Sequence, residues 1–143
     1  MAENRQQVCT FQIAGSWYGL EVTRVQEVVP RQVMTPVPLA HPAVAGLINL
    51  RGQIVTAIDL RQRLGLPERN LNESFVNVVI DTDSGSVSLI ADDFGDVLSL
   101  ECQDFERTPE TLPAPVRELI LGIYKLSDHL LVLLAPERVV DLS

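Results

Sequence analysis

Short stretches of alternating apolar and polar residues run along most of the chain and predict its secondary structure. A period of two residues is typical of β-strands that bury one face. Glycine, proline, asparagine and aspartate separate these stretches, as they do at turns. The predicted strands are Gln7–Ala14, Trp17–Val22, Gly46–Leu50, Gln53–Leu60, Phe75–Ile80, Leu119–Lys125 and His129–Leu134, together with Ser86–Leu100, which forms either two short strands or one bent strand broken near residues 93–95.

Helical turns are predicted only at a few places between the strands. Helical spacing covers Leu60–Leu66, and prolines can start a turn in Pro115–Glu118 and in Pro136–Leu142. The segment Thr23–Val29 fits a helical turn or a strand, while the prolines between residues 30 and 45 exclude a long helix there. Many short strands with few helices predict an all-β protein, either a barrel or a sandwich.

Residues 46–59, with the sequence GLINLRGQIVTAID, contain two apolar strands joined by Arg51 and Gly52. A tight turn uses the glycine, because glycine adopts positive φ angles without steric cost. Such a turn does not require an arginine. Arg51 is therefore either an ordinary surface residue or a group that contacts a partner, and Gly52 is the structural turn residue.

Composition narrows the class of protein. The chain has 143 residues, of which 46% are hydrophobic and 21% charged, as expected of one globular domain. No apolar run approaches the roughly 18 residues of a membrane span, and the start lacks the basic and apolar blocks of a signal peptide. These features predict a cytoplasmic protein without direct membrane insertion. Cys9 and Cys102 are expected to be reduced thiols.

The net charge of −8 is distributed unevenly. Residues 1–71 hold seven arginines and five acidic residues, whereas residues 72–143 hold four basic and fourteen acidic residues. No basic stripe exists that could release counterions from a phosphate backbone, so nucleic-acid binding is not expected. The acidic second half either attracts a basic partner or is a solvated face.

Candidate chemistry is sparse. The chain carries no phosphate-binding loop, dinucleotide fingerprint or zinc-protease motif. A serine hydrolase would have to use His41 or His129, which lie in different halves. Asp81, Asp83 and Gly85 supply too few ligands for a calcium loop and fit a hairpin turn. We therefore predict no enzyme, metal or cofactor; a small β-barrel that binds a nucleotide or another small ligand is the alternative of a different class.

The order of residues in the centre of the chain resembles the signature of CheW-like domains, the adaptor domains of bacterial chemosensory arrays. The strongest match is the run Asn49–Gly52 followed by Ile58–Arg61, within residues 36–61. The resemblance covers about residues 6–142. Its weaker segments, which follow in the same order, are Trp17–Val22, Val25–Val28, Ser88–Asp92, Asp96–Leu98, Ile120–Leu126 and Leu130–Leu134.

The resemblance implies a single CheW-like domain over residues 1–143. Its fold would be two small five-stranded SH3-like β-barrels packed on a shared hydrophobic core, with short helical turns. Residues 13–71 would form the first barrel and residues 72–143 the second, which the strand 7–12 is free to join.

The resemblance also implies a non-enzymatic adaptor that couples transmembrane chemoreceptors to a CheA-type histidine kinase in bacterial chemotaxis. The expected partners are the regulatory domain of the kinase and the cytoplasmic tip of methyl-accepting chemoreceptors. The protein would be cytoplasmic and recruited to membrane-associated receptor arrays. The alternative of nearly the same kind is an adaptor of a chemosensory pathway that controls pili or surface behaviour.

Site residues follow from the same resemblance. In the family the arginine of the NLRG motif pairs with a glutamate that matches Glu27, at a groove between the barrels that receives the receptor tip. The receptor-binding candidates are Val25, Glu27, Val29, Arg51, Phe94 and Val97. The candidates on the kinase-facing barrel are Gly46, Leu47 and Ile54.

Overall fold

The structure, a computed structural model, describes residues 5–70 and 73–142. Within these residues, eleven strands form two sheets and each helix is a short turn. None of the described helices is long and apolar enough to cross a membrane. The strands are β1 (Arg5–Ile13), β2 (Ser16–Glu21), β3 (Val25–Pro30), β4 (Val44–Leu50), β5 (Gln53–Asp59), β6 (Val76–Thr82), β7 (Gly85–Ala91), β8 (Asp93–Glu101), β9 (Phe105–Arg107), β10 (Ile120–Lys125) and β11 (Leu130–Leu134).

The helical turns lie close to where proline and spacing predicted them: α1 (Leu60–Arg63), α2 (Ala114–Arg117) and α3 (Pro136–Val139). The side chain of Asp59 caps α1 by accepting a hydrogen bond from the Arg61 amide at 3.0 Å. The ambiguous segment 23–29 contains both structures, since a 3-10 turn at Val22–Arg24 leads into β3. The segment 86–100 forms two strands, β7 and β8, which meet at Asp92. The all-β prediction is confirmed.

Each sheet curls until its edges approach one another. The six-stranded sheet has the order β8-β1-β2-β11-β10-β9, and only the 3-10 turn Cys102–Asp104 separates β8 from β9 along the chain. The five-stranded sheet has the order β3-β6-β7-β5-β4. Thr35, which follows β3, exchanges two 2.8 Å backbone hydrogen bonds with Leu47 of β4. Both sheets thus have barrel curvature, and one has six strands where five were expected because the short β9 pairs with β10.

The two sheets divide the chain differently from the expected halves. As the resemblance allowed, β1 joins strands of the second half, but β2 does so as well and pairs in parallel with β11. Although β6 and β7 follow residue 72, they pair with β3 and β5 in the five-stranded sheet. Alternation of apolar residues predicts which face of a strand is buried, but it does not predict which strands pair with each other. The expected boundary at residues 71 and 72 lies outside the described residues.

A hydrophobic core joins the two sheets. Burying one such aliphatic or aromatic side chain contributes about 1.5–3 kcal/mol to folding, so the core holds the barrels against each other. Smaller apolar clusters fill the interior of each sheet. Side chains at most 2% exposed in the shared core include Phe11, Ile13 and Leu20 from the six-stranded sheet and Ile58, Val78, Ile80 and Leu89 from the five-stranded sheet.

Gly46 lies where the edges of the five-stranded sheet meet. The residue is buried, its φ is +156°, and the register of β4 shifts between Val44 and Gly46. A Cβ atom added there would lie 2.7 Å from the carbonyl oxygen of Thr35. The glycine therefore permits the close backbone approach that closes this sheet.

We expect Gly46→Ala to destabilise the protein by roughly 3 kcal/mol, because the new methyl group collides with backbone and the φ angle is unfavourable. Gly52→Ala is the matched control. Gly52 also has a positive φ, of +85°, but its added Cβ meets open space, so a loss of about 1 kcal/mol is expected. Urea unfolding measures the free energy of unfolding of both variants. Equal losses of stability in the two variants would contradict the steric role of Gly46.

Candidate docking site

The turn between β4 and β5 places Arg51 in a backbone conformation that non-glycine residues rarely adopt. Leu50 and Gln53 pair across a two-residue turn, with φ of +51° at Arg51 and +85° at Gly52. Two positive φ angles match the twist of a two-residue hairpin. The side chain of Asn49 supports the turn by accepting a 2.9 Å hydrogen bond from the Gly52 amide. A left-handed arginine costs about 1 kcal/mol, which points to a role for its side chain.

That side chain binds Glu27 on β3 through both of its terminal nitrogens. Arg51 Nη1 donates to Glu27 Oε2 at 2.5 Å, and Nη2 donates to Oε1. The guanidinium lowers the pKa of the Glu27 carboxyl, and the carboxylate raises that of Arg51. The side chains are 73% and 26% exposed, so this contact fixes geometry more than it stabilises the fold. It also links the two edges of the five-stranded sheet, since β3 and β4 are its outer strands.

A β-bulge in β8 brings Phe94 and Val97 to the same face of the strand. Residues three apart on a regular strand point to opposite faces. Here Gly95 and Asp96 together oppose the single residue Thr10 of β1. The Thr10 hydroxyl fixes the bulge by donating to the Asp96 carbonyl at 2.8 Å and accepting from the Asp96 amide at 2.9 Å. Phe94 and Val97 are 37% and 50% exposed.

The shared face of Phe94 and Val97 continues into the core between the sheets. Phe94 pairs with Phe11, which belongs to that core. Val25 of β3 is half-buried and packs against the same core from the other sheet. Val29 is also half-buried on β3. Glu27 and Arg51 are in direct contact. Val25, Phe94 and Val97 border the shared core from the two sheets, whereas Val29 lies on the opposite face of β3, the face that carries Glu27.

The kinase candidates lie on β4 and β5. Leu47 and Ile54 line an open cleft of about 540 Å³, and Ile54 is 66% exposed. Gly46 is buried, so it shapes this surface and does not offer a side chain to a partner. Val33, which was not predicted as a site residue from the sequence, lines the same cleft and is 92% exposed. An isolated valine in a proline-rich connection was the available signal.

A polar cluster surrounds Asp92, between β7 and β8, and was not predicted from the sequence. Arg61 donates to its carboxylate at 3.1 and 2.5 Å, Arg69 at 2.6 Å, and the Ala14 amide at 2.7 Å. Burial raises the pKa of Asp92, but the hydrogen bonds outweigh it and hold that pKa at about 2. The available signal was the arginine that ends the IDLR motif, because an arginine buried to 8% exposure needs a partner.

Several known proteins resemble this chain over nearly its whole length. The family model for the CheW-like domain matches residues 7–143. Chemotaxis protein CheW of Bacillus subtilis is 31% identical over 136 residues, which are 95% of this chain and 87% of that protein. Chemotaxis protein CheW of Klebsiella aerogenes is 27% identical, with 95% and 82% covered. The crystal structure of the scaffolding protein TtCheW from Thermoanaerobacter tengcongensis has a TM-score of 0.87 at 25% identity and covers 96% of this chain and 94% of its own.

Two curled β-sheets on one core, with an ion-paired rim and exposed apolar side chains, define a two-barrel docking protein. The chain belongs to the CheW-like family, as the NLRG and IDLR motifs predicted. Membership of this family makes it a scaffolding adaptor of chemotaxis and not an enzyme.

We expect Asp92→Asn to cost about 3 kcal/mol at pH 7, because two arginines lose a carboxylate in a largely buried cluster. The folded pKa of Asp92, about 2, lies below the ordinary value of 3.8. Its stabilisation, roughly 2 kcal/mol from this shift alone, is therefore present above pH 4 and lost as the pH falls towards 2.

Urea unfolding of wild type and Asp92→Asn at pH 7, 5 and 3 measures this. The difference in free energy of unfolding between wild type and Asp92→Asn should be smaller at pH 3 than at pH 7. Asp93→Asn changes an exposed neighbouring carboxylate and should leave stability nearly unchanged. A difference that stays constant from pH 7 to pH 3 would show that Asp92 does not act through its charge.

Proposed function

We propose that this protein is a cytoplasmic adaptor that binds the regulatory domain of a CheA-type histidine kinase and the cytoplasmic tip of methyl-accepting chemoreceptors. It joins membrane-associated arrays through these two contacts. The observation that best supports the proposal is the two-point contact between Arg51 and Glu27, which the family resemblance predicted and which lies on an exposed rim. Such a pair offers a partner a rigid, oriented polar group.

The receptor surface combines this rim with apolar side chains. A helical tip needs anchors that fill an apolar groove and polar groups that fix its register. Phe94 and Val97 supply exposed apolar area on β8, and Val25 and Val29 supply half-buried area on β3. Because Val25, Phe94 and Val97 border the shared core, a helix between them would contact both sheets.

The kinase surface is the outer side of the β4–β5 hairpin. Ile54 and Val33 are largely exposed around the cleft that Leu47 also lines. Exposed apolar side chains gathered around one cleft are typical of a protein contact. Individual contacts of this size are weak, and an array strengthens them because each adaptor is held by two partners at once.

Replacing Arg51 by alanine should weaken binding to a receptor cytoplasmic fragment at least tenfold and leave binding to the kinase regulatory domain unchanged. The reason is that the receptor rim loses its oriented guanidinium while the β4–β5 cleft stays intact. Pull-down and calorimetric titration with the two purified partners measure this. Arg5→Ala is the control, because Arg5 forms a comparable exposed pair with Glu101, at 3.2 Å, in the other sheet. Unaltered receptor binding by Arg51→Ala would refute the proposed rim.

Ile54→Asp should reverse the pattern, with kinase binding reduced at least tenfold and receptor binding retained. A carboxylate in an apolar contact loses its hydration without gaining a partner. Leu130→Asp is the matched control, because Leu130 is 56% exposed on β11 of the six-stranded sheet. Equal loss of kinase binding in both variants would mean that the contact is not on the β4–β5 hairpin.

A further inference from the structure

A polar cleft opens at the end of the five-stranded sheet, beside the Arg51–Glu27 pair. It has a volume of about 280 Å³, and every strand of that sheet contributes to its lining. Glu27 pairs with Val79 in the register of β3 and β6, so the two side chains lie on the same face. The floor is apolar, formed by Val55 and Val79 at 3% and 1% exposure. The ion pair is therefore one wall of a cleft that reaches the barrel interior.

Two glutamine side chains lie along the rim of this cleft. Gln26 accepts a 3.0 Å hydrogen bond at Oε1 from the Ser86 hydroxyl, which orients its amide and leaves Nε2 available to donate. Gln53 is exposed at the start of β5, next to the Arg51–Gly52 turn. Among the described residues, no hydrogen bond involves the Gln53 side chain. The rim can thus donate and accept hydrogen bonds at the same time.

The Arg51–Glu27 pair favours a neutral polar group over a charged one in this cleft. Arg51 and Glu27 already neutralise each other through two hydrogen bonds. A partner carboxylate in the cleft would meet the charge of Glu27, and a partner ammonium would meet that of Arg51. Confining either charge costs more than confining a neutral polar group. A side-chain carboxamide is neutral, carries two N–H donors and an acceptor, and has an apolar stem that suits the floor.

We propose that this cleft binds an asparagine or glutamine side chain of the receptor tip, with Gln26 and Gln53 as the residues that determine specificity. The proposal rests on the proposed receptor role of the Arg51–Glu27 rim and names the chemical group that this rim selects. Gln26 donates to the carboxamide oxygen, and Gln53 donates to and accepts from the same group. Val55 and Val79 contact its methylene stem.

The test is a calorimetric titration of the full chain with a purified receptor cytoplasmic fragment. Gln53→Leu and Gln26→Leu keep side-chain size and remove the hydrogen bonds. Each should weaken receptor binding about tenfold, as expected for the loss of one or two hydrogen bonds, and leave kinase binding unchanged. Gln7→Leu, at an exposed glutamine on β1, is the matched control and should bind like wild type. Thermal melts verify that all three variants fold.

A double-mutant cycle identifies the receptor group. Each asparagine, glutamine and charged residue of the fragment's tip is replaced in turn by alanine and titrated against wild type and Gln53→Leu. At one position the alanine should weaken binding to wild type about tenfold and leave binding to Gln53→Leu unchanged. Coupling of Gln53 to an acidic or basic receptor residue instead would overturn the inference.

Two further outcomes separate the inference from the proposed function. If both glutamine variants bind receptor like wild type while Arg51→Ala loses binding, the carboxamide inference is wrong and the receptor rim stands. If wild type itself does not bind the receptor fragment, the proposed function fails and the inference fails with it.

Discussion

The placement of the two sheets depends on one carboxylate. Asp92 lies where the chain leaves β7 of the five-stranded sheet and enters β8 of the six-stranded sheet. It binds Arg61 of α1, Arg69 of the following connection and the amide of Ala14 in the β1–β2 turn. A single side chain thus ties both sheets and the segment between β5 and β6 to one point. The apolar core supplies most of the stabilisation, whereas these directed hydrogen bonds fix orientation.

Fixed orientation is what a docking protein needs, because its function is to hold partners in a defined geometry. The Arg51–Glu27 pair serves the same end on a smaller scale, since it joins the outer strands of the five-stranded sheet at the edge where the proposed receptor surface begins. Leu47 and Ile54 lie on β4 and β5 of the same sheet. The proposed kinase surface and the Arg51–Glu27 rim of the proposed receptor surface therefore share one sheet, which offers a physical route for one partner to sense the position of the other.

Motif and turn chemistry predicted part of the candidate site. Gly52 could be named from the two-residue turn, and Arg51 and Glu27 from the family motif that they match. Sequence spacing could not place Phe94 and Val97 on one face, because residues three apart on a regular strand point to opposite faces. Only the bulge opposite Thr10 brings both side chains to the same face. Gly46 was predicted as a kinase-binding candidate, yet the approach of Thr35 makes it part of the barrel closure.

The sequence by itself determined most of the strands and turns, the all-β class and the family, because alternation, glycine and proline positions, and the NLRG and IDLR motifs are local features. Only the tertiary structure decided which strands share a sheet, that β2 pairs with β11 and that β7 pairs with β5. These parallel pairings join strands distant in the chain. They depend on the burial of one common core, whose contacts between distant residues no local pattern of residues encodes.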